Sequence, residues 1–191
     1  MAKLIQKIKN IPKSYFSFAD LKKISDLSGE SLKVAISRMI KSKEMTKLKK
    51  GVYTSDISMV NWENFAVETH SPSYLSFEWA LARHNILSQK PVNLTLATSK
   101  RSKKITTPQN IIIYHHLQPK LFWGFVKEDN YLLAEPEKAF LDLAYLSLNG
   151  YAKFDAEEMN LELLDKIKLK KYLKKINHKR LDDLLFQSGI N

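Results

Sequence analysis

Apolar residues in the first 45 positions recur at helical spacing and are separated by turn residues. Ser17, with Asp20 three residues later, is predicted to cap the second of these helices through a capping box. Ser28-Gly29 is predicted to form the next turn, since glycine adopts a left-handed conformation at low cost, and Leu27 is expected to point inward. The pattern predicts helices over about residues 4–9, 19–27 and 30–42.

The third of these helices has two contrasting faces. Its apolar positions recur at i, i+3, i+4, i+7 and i+8 and predict a buried stripe of Leu32, Ala35, Ile36, Met39 and Ile40. The opposite face carries cations, hydroxyls and one small apolar group, namely Ser31, Lys33, Val34, Ser37, Arg38 and Lys41. Two short strands are then predicted over 45–48 and 52–54, around Lys49-Lys50-Gly51. A helix-turn-helix followed at once by a basic hairpin is the arrangement of a winged helix.

The remaining sequence predicts a mixed domain after a connector. Residues 57–70 are interpreted as a connector that packs through Trp62 and Phe65. A helix is predicted over 74–84, and Pro136 is expected to begin another, whose inward positions are Ala139, Phe140, Leu143 and Leu146. Strand patterns over 92–97, 111–116, 122–126 and 131–134 predict a small antiparallel sheet, which the helices flank. We therefore predict an α+β fold made of a winged helix-turn-helix (1–56), the connector (57–70) and an α+β domain with a basic helical C-terminus (71–191).

Charge is distributed unevenly along the chain. Residues 1–55 hold 13 Lys/Arg and 4 Asp/Glu, 56–150 hold 9 of each, and 151–191 hold 9 and 7, within a total of +11. Basic charge concentrated in one small module is typical of a nucleic-acid binder, although a solvated lysine-rich face is the alternative for the third helix taken alone. The polar face of that helix would enter the major groove of double-stranded DNA. Lys47, Lys49 and Lys50 would contact phosphate or the minor groove, and Tyr53 would brace the hairpin or touch a phosphate.

Two further basic segments lie outside this module. Lys100, Arg101, Lys103 and Lys104 fall between two predicted strands and indicate either a second phosphate contact or a surface for an acidic partner, with a solvated hairpin loop as the alternative. Residues 166–180 hold eight Lys/Arg and no Asp/Glu. They predict basic amphipathic helices, which can bind nucleic acid, an acidic protein or a membrane surface, or can be ordinary solvated faces.

No constellation of residues predicts an active site. The chain has no cysteine, and no phosphate-binding loop or hydrolase motif is present. His115 and His116 are adjacent on a predicted strand, so their side chains should point to opposite faces, and no metal site is expected. Lys138 and Asp142, four residues apart on a helix, predict a surface ion pair. We expect a non-enzymatic protein without a cofactor. No apolar run approaches the roughly 18 residues that span a bilayer, which predicts a cytoplasmic protein that does not bind membranes.

Three sequence blocks carry a resemblance to a known family. The first joins Phe18-Ala19-Asp20-Leu21, Ser37-Arg38-Met39-Ile40 and Leu48-Lys49-Lys50-Gly51-Val52-Tyr53. The second is Ser71-Pro72-Ser73-Tyr74-Leu75-Ser76 with Ala80-Leu81, and the third is Ala134-Glu135-Pro136-Glu137-Lys138-Ala139-Phe140-Leu141-Asp142-Leu143. Their order resembles the AbiEi antitoxins of abortive-infection (type IV) toxin–antitoxin systems. The resemblance implies a transcriptional autorepressor that binds inverted repeats in its operator. It also implies an antitoxin that counters a nucleotidyltransferase toxin encoded in the same operon.

Two other functions remain open on the sequence. The winged helix could be a scaffold in a protein-interaction module whose basic faces bind an acidic partner. The chain could also bind RNA, although it lacks evident surface aromatic residues for base stacking. Binding of duplex DNA from upstream of the operon distinguishes the first hypothesis from these two.

Overall fold

The structure is a computed structural model that describes residues 2–89 and 91–189. Within those residues the fold is α+β, with eight α-helices and two sheets. The chain divides into two compact units. The first comprises Met1–Phe65 with Ile105–Gln109, and the second comprises Ala66–Lys104 with Asn110–Asn191.

The first unit combines three helices with a small antiparallel sheet. Its elements in chain order are α1 (Ala2–Lys9), β1 (Phe16–Ser17), α2 (Phe18–Ile24), α3 (Gly29–Lys41), β2 (Thr46–Lys49) and β3 (Val52–Thr54). The strand order is β1-β3-β2, with Phe16 opposite Tyr53 and Thr46 opposite Thr54. The three predicted helices and the predicted hairpin are therefore present.

The helix starts in this unit follow from local hydrogen bonding. The predicted capping box of α2 is confirmed, because Ser17 Oγ accepts from the Asp20 N–H and the Asp20 carboxylate accepts from the Ser17 N–H at 2.9 Å. Ser28 Oγ caps α3 by accepting from the Ser31 N–H. Side-chain acceptors of this kind satisfy N–H groups that have no partner inside the helix.

Two predictions at the α2–α3 turn are wrong. Gly29 is the first residue of α3 and does not have a positive φ. The chain reverses over Ser25–Ser28 instead, because Ser25 ends α2 with extended backbone and Ser28 begins α3 as its cap. Leu27 lies in this turn and is exposed rather than buried.

The apolar stripes of the three helices meet in one core. The buried stripe of α3 consists of Leu32, Ala35, Ile36 and Met39, as predicted, while Ile40 is only partly buried against it. The other buried members of this core are Leu4, Ile8, Phe16, Leu21 and Met45. Burial of these side chains supplies most of the free energy that holds the short helices in place.

The segment between the predicted domains contains a helix. A 3-10 turn at Ile57–Met59 leads into α4 (Trp62–Thr69). Phe65 in this helix is fully buried, and its ring contacts those of Tyr15 and Trp62 edge to face. The boundary between the two compact units falls within α4, after Phe65.

The second unit is built on a six-stranded sheet, of which only Ile105 and Thr106 belong to the first unit. Its strands are β4 (Ser73–Leu75), β5 (Leu94–Thr98), β6 (Lys103–Thr106), β7 (Ile111–His116), β8 (Phe125–Glu128) and β9 (Tyr131–Ala134), in the order β6-β7-β5-β4-β9-β8. The helices are α5 (Phe77–Arg83), α6 (Pro136–Ser147), α7 (Lys166–Ile176) and α8 (Lys179–Gln187), with 3-10 turns at Pro119–Leu121, Ala156–Glu158 and Leu161–Leu163.

The predicted antiparallel sheet is wrong, because the sheet is mixed. β5 pairs in parallel with β7, and β4 pairs in parallel with β9, while β4–β5 and β8–β9 are antiparallel. All five residues of β5 are buried, as is typical of a central strand covered on both faces. Segment 99–102 therefore does not form a hairpin loop between the strands on either side of it.

The single helix predicted over 74–84 is also wrong. Tyr74 and Leu75 belong to β4, where they pair with Ala97 and Leu96 of β5, and the helix begins only at Phe77. Phe77 is fully buried and has a φ of 58°, at the point where the strand gives way to the helix. Pairing with two neighbouring strands outweighs the local helical periodicity here.

The helix predicted at Pro136 is confirmed, and its neighbours cover it more completely than predicted. Pro136 occupies the first turn, after Glu135 at the cap position. The predicted inward residues Ala139, Phe140, Leu143 and Leu146 are buried. Glu137, Lys138, Leu141, Asp142 and Ala144 are buried as well. α6 is thus a central helix of the second unit rather than an amphipathic helix on its surface.

Candidate nucleic-acid interface

The outer face of α3 presents the six side chains that the sequence pattern singled out. Ser31, Lys33, Val34, Ser37, Arg38 and Lys41 are all exposed. Val34 is 51% exposed, although its side chain is apolar. The buried stripe on the opposite side fixes the orientation of this face, because turning the helix would expose Leu32, Ile36 and Met39.

Local partners reduce the number of free donors on this face. Lys33 forms an exposed ion pair with Glu30, with 2.7 Å between Nζ and Oε1. Ser31 Oγ accepts a hydrogen bond from Ser28 Oγ at 2.9 Å and so takes part in the cap. Arg38 and Lys41 form no ion pair with any described residue. They are the cations of α3 whose charge is fully available to a ligand.

The β2–β3 hairpin supplies a second exposed basic element. Lys47 and Lys50 are exposed, and Lys49 is partly exposed next to an irregular register between Lys47 and Lys49. The turn uses Gly51, whose φ of 77° is unfavourable for other residues. The Phe18 N–H donates to the Gly51 carbonyl oxygen at 2.9 Å, which ties the tip of the hairpin to the start of α2.

Tyr53 of β3 supports the hairpin from its inner side. Its side chain is partly buried against the core formed by the three helices. On the sheet it lies opposite Phe16 of β1 and Lys47 of β2. Of the two roles predicted for Tyr53, bracing the hairpin agrees with this position.

Three acidic side chains of the first unit, Asp20, Asp26 and Glu30, are already paired with lysines. Asp20 lies 2.9 Å from Lys13 Nζ, and Asp26 lies 3.1 Å from Lys7 Nζ. The hydrogen bond from Lys13 and the backbone N–H of Ser17 lower the pKa of Asp20 to about 2. These carboxylates lie on α2 and in the turn after it, so Glu30 is the acidic residue on α3 itself.

The second predicted basic contact lies in the second unit. Lys100 and Arg101 lie in the segment after β5, Lys103 and Lys104 begin β6, and all four side chains are exposed. The segment is held by histidines, since His70 Nε2 lies 3.2 Å from the Arg101 carbonyl oxygen and His116 Nδ1 lies 3.0 Å from that of Lys100. A carbonyl oxygen only accepts, so each of these ring nitrogens carries the proton.

The predicted surface ion pair between Lys138 and Asp142 is wrong, because both side chains are buried. Lys138 is 0% exposed and Asp142 is 2% exposed. Lys138 Nζ donates to the Asp142 carboxylate and, at 2.9 Å, to Tyr74 Oη. Tyr74 Oη and Ser76 Oγ each donate to Asp142 Oδ2 at 2.8 Å. This closed network satisfies the buried charges.

Burial dominates the protonation equilibria in this network. Desolvation lowers the pKa of Lys138 and raises that of Asp142, and the attraction between the two groups opposes both changes. Desolvation also raises the pKa of Tyr74, as does the adjacent carboxylate. The composition of α6 gives the signal that would have predicted burial, because apolar residues occupy every side of the helix.

A second polar cluster joins the start of α6 to α7. Lys168 Nζ lies 2.9 Å from Glu135 Oε1 and 3.2 Å from Glu137 Oε2. The Tyr172 hydroxyl donates to the other oxygen of Glu135. Burial and the hydrogen bond to Glu135 raise the pKa of Tyr172 to about 12. Burial acts to raise the pKa of Glu135, but the hydrogen bonds from Tyr172 and Lys168 outweigh it and lower that pKa.

The histidines do not form a metal site in the part of the chain that the structure describes. No group of three or more His, Asp or Glu side chains converges there. His115 is partly buried against the ring of Phe77, and burial lowers its pKa, whereas His116 is exposed and contacts the Lys100 carbonyl. The two rings thus have separate surroundings.

Comparison of the sequence with protein-family models and with curated proteins found no match. In the described ranges, no helix is long and apolar enough to cross a membrane.

Proposed function

We propose that residues 1–55 form a winged helix that binds double-stranded DNA. The order α1-β1-α2-α3-β2-β3, with β3 between β1 and β2, agrees with this class of fold. In such a module α3 is the second helix of the helix-turn-helix and enters the major groove. The observation that carries the proposal is the outer face of α3. It combines two unpaired cations, Arg38 and Lys41, with the Ser37 hydroxyl and an exposed Val34.

The chemistry of this face suits base edges as well as phosphates. Arginine can donate two hydrogen bonds to guanine, a serine hydroxyl can bond to several bases, and a small apolar side chain can contact the thymine methyl group. The hairpin lysines contribute charge that positions the protein on the backbone. A purely electrostatic surface would need neither the serine nor the valine.

Salt dependence tests whether this contact is electrostatic. If a protomer neutralises roughly five to eight phosphates, the log–log slope of affinity against salt should be about −4 to −7. Fluorescence anisotropy of labelled duplex from upstream of the operon, titrated at several salt concentrations, gives this slope. A slope near zero would rule out phosphate contacts as the source of affinity.

Variants in α3 and in the hairpin distinguish contacts that read the bases from contacts that position the protein on the DNA backbone. Arg38→Ala should reduce discrimination between operator and unrelated duplex by about 1–3 kcal/mol per lost base contact. Lys47→Ala/Lys50→Ala should weaken binding to the operator and to the unrelated duplex equally, because the hairpin lysines contact phosphate. Lys120→Ala/Lys127→Ala removes the same charge from exposed positions of the second unit and serves as the control. If Arg38→Ala retains the full preference for the operator, α3 does not read the bases through Arg38.

We further propose that the protein is an autorepressor and an antitoxin. The resemblance of its three sequence blocks to the AbiEi family supports this, and so does the α+β unit that follows the first unit. The operator would contain inverted repeats, and the toxin countered would be a nucleotidyltransferase encoded in the same operon. Because α3 belongs to the first unit, the DNA contact and the antitoxin activity should respond to different substitutions.

Growth rescue in the full chain tests this separation. Arg38→Ala/Lys50→Ala should abolish repression of an operon reporter while still protecting cells against the neighbouring toxin. The wild-type chain and Lys120→Ala/Lys127→Ala are the references for both readouts. Loss of protection together with repression, at normal protein levels, would contradict two separable activities. Protection without any binding to operon DNA would favour the protein-interaction hypothesis.

A further inference from the structure

Four of the six lysines of α7 fall into two groups that differ in their surroundings. On the side facing α6, Lys168 is paired with Glu135 and Glu137, and Lys175 Nζ lies 3.9 Å from the centre of the Trp123 ring. On the opposite flank, Lys166 and Lys170 are exposed, and neither forms an ion pair with a described residue. One flank of the helix is therefore electrostatically satisfied within the unit, and the other is not.

The unsatisfied flank borders an apolar groove. Five leucines line it, of which Leu161 and Leu173 are partly exposed, whereas Leu164, Leu169 and Leu185 are buried. The groove is open and has a volume of about 250 Å³. Lys166 and Lys170 also line it, one helical turn apart. The carboxylates of α8, Asp182 and Asp183, are not among its lining residues.

We propose that this groove docks an amphipathic helix with acidic residues from a partner protein. One or two large apolar side chains of such a helix match the volume and the leucine lining. Carboxylates spaced four residues apart would reach Lys166 and Lys170. Helix-in-groove recognition uses apolar anchors at this kind of spacing, and charges at the rim select the partner. The proposal stands whether or not residues 1–55 bind DNA.

The groove suits this occupant better than the other ligands of a basic surface. A nucleic-acid backbone would use the lysines but leave Leu161 and Leu173 partly exposed to water. A membrane surface would contact the exposed Ile167 and Phe186, which do not line the groove, and would leave the concave surface formed by the leucines unfilled. A protein helix satisfies both the leucines and the lysines.

A peptide titration of the full chain tests the proposal. The probe is a synthetic helical peptide with leucines at i and i+4 and glutamates one turn apart on its flank. Companion peptides replace the glutamates with glutamine or the leucines with alanine. We expect saturable binding by fluorescence anisotropy, with amide shift changes around Leu173 and Lys170 in NMR spectra. Both companion peptides should bind at least about tenfold more weakly.

Charge reversal locates the contact on one flank of α7. Lys166→Glu/Lys170→Glu should weaken binding of the acidic peptide at least about tenfold. Lys171→Glu/Lys174→Glu makes the same charge change outside the groove and should have little effect on peptide binding. Both variants should keep the wild-type melting temperature and the wild-type affinity for operon DNA. If the wild-type chain does not bind operon DNA, that result contradicts the DNA-binding proposal and leaves the docking proposal unaffected.

Four results would overturn the docking proposal. They are equal loss in the two charge-reversed variants, absence of saturable peptide binding, binding only after residues 190–191 are removed, and dimerisation through the groove in light scattering. Binding to anionic vesicles that depends on Leu173 would also contradict the proposal, because the ligand of the groove would then be a membrane surface.

Discussion

Lysines of residues 1–55 and the single lysine of α6 occupy opposite environments. In the first unit Lys47 and Lys50 extend into solvent, and even the paired Lys33 remains 61% exposed at its side chain. In the second unit Lys138 is 0% exposed and completes a network with Asp142, Tyr74 and Ser76. The first arrangement leaves charge free for a ligand, and the second commits charge to the fold. Substitution of an exposed lysine should therefore change DNA binding with little effect on stability. Disruption of the buried lysine's network should instead lower the stability of the fold.

Breaking the buried pair of Lys138 and Asp142 should have the largest effect on the free energy of unfolding. Asp142→Ala leaves the Lys138 ammonium buried without its counter-charge, which should cost about 3–5 kcal/mol of unfolding free energy. Urea denaturation followed by circular dichroism measures the loss. Replacing both partners, as Lys138→Met/Asp142→Leu, should cost less than Asp142→Ala, because no charge remains buried. A loss below about 1 kcal/mol for Asp142→Ala would mean that Lys138 finds solvent or another partner.

The glycine beside Lys138 sharpens the same comparison. Gly124 has a φ of 74°, and a Cβ added there would lie 2.9 Å from Lys138 Cγ. Gly51 in the exposed hairpin has a φ of 77° with nothing within 4 Å of such an atom. Gly51→Ala should cost about 1–2 kcal/mol from backbone strain. Gly124→Ala should cost about 1–3 kcal/mol more from overpacking. Equal losses in thermal melts of the two variants would mean that the buried network yields to the added methyl group.

The partly exposed ion pair of Asp20 with Lys13 should make a smaller, pH-dependent contribution to the free energy of unfolding. The pKa of Asp20 is lowered to about 2 in the folded protein, so the unfolded chain binds a proton more readily. The stabilisation is present above about pH 4 and is lost as the pH falls towards about 2. Solvent screening limits it to no more than about 1 kcal/mol. Urea denaturation of wild type and Asp20→Asn from pH 5 to pH 2 checks this, and a difference that grows on acidification would contradict it.

The exposed pair on α3 should have the smallest effect on stability. Lys33→Ala removes an ion pair between two exposed side chains and should change the unfolding free energy by less than about 0.5 kcal/mol. It should nevertheless weaken binding to operon DNA and lower the steepness of the salt dependence by about one. Glu30→Ala removes the partner of Lys33, so it should strengthen binding. A Lys33→Ala protein that is clearly destabilised would mean that surface charge in this unit supports the fold.

Local sequence was sufficient for the helices and the hairpin of the first unit, because nearby residues specify these elements. The capping box of Ser17 and Asp20 is complete within four positions. The apolar stripe of α3 follows a single period and faces one core. Gly29 was misread because Ser28 beside it competes for the same turn, and the serine acts as the cap.

The sequence alone thus determined the exposed face of α3, its buried stripe apart from Ile40, and where the hairpin and α6 begin. Only the tertiary structure decided the strand directions of the second unit, since parallel pairing joins segments that are distant in the chain. It also decided which groups satisfy the buried Lys138 and Asp142, because their partners Tyr74 and Ser76 lie more than 60 positions earlier. The spacing of apolar residues along an element indicates which of its faces is buried, but not which elements cover that face. The apolar residues on every side of α6 indicate that the helix is covered, but they do not identify the elements that cover it.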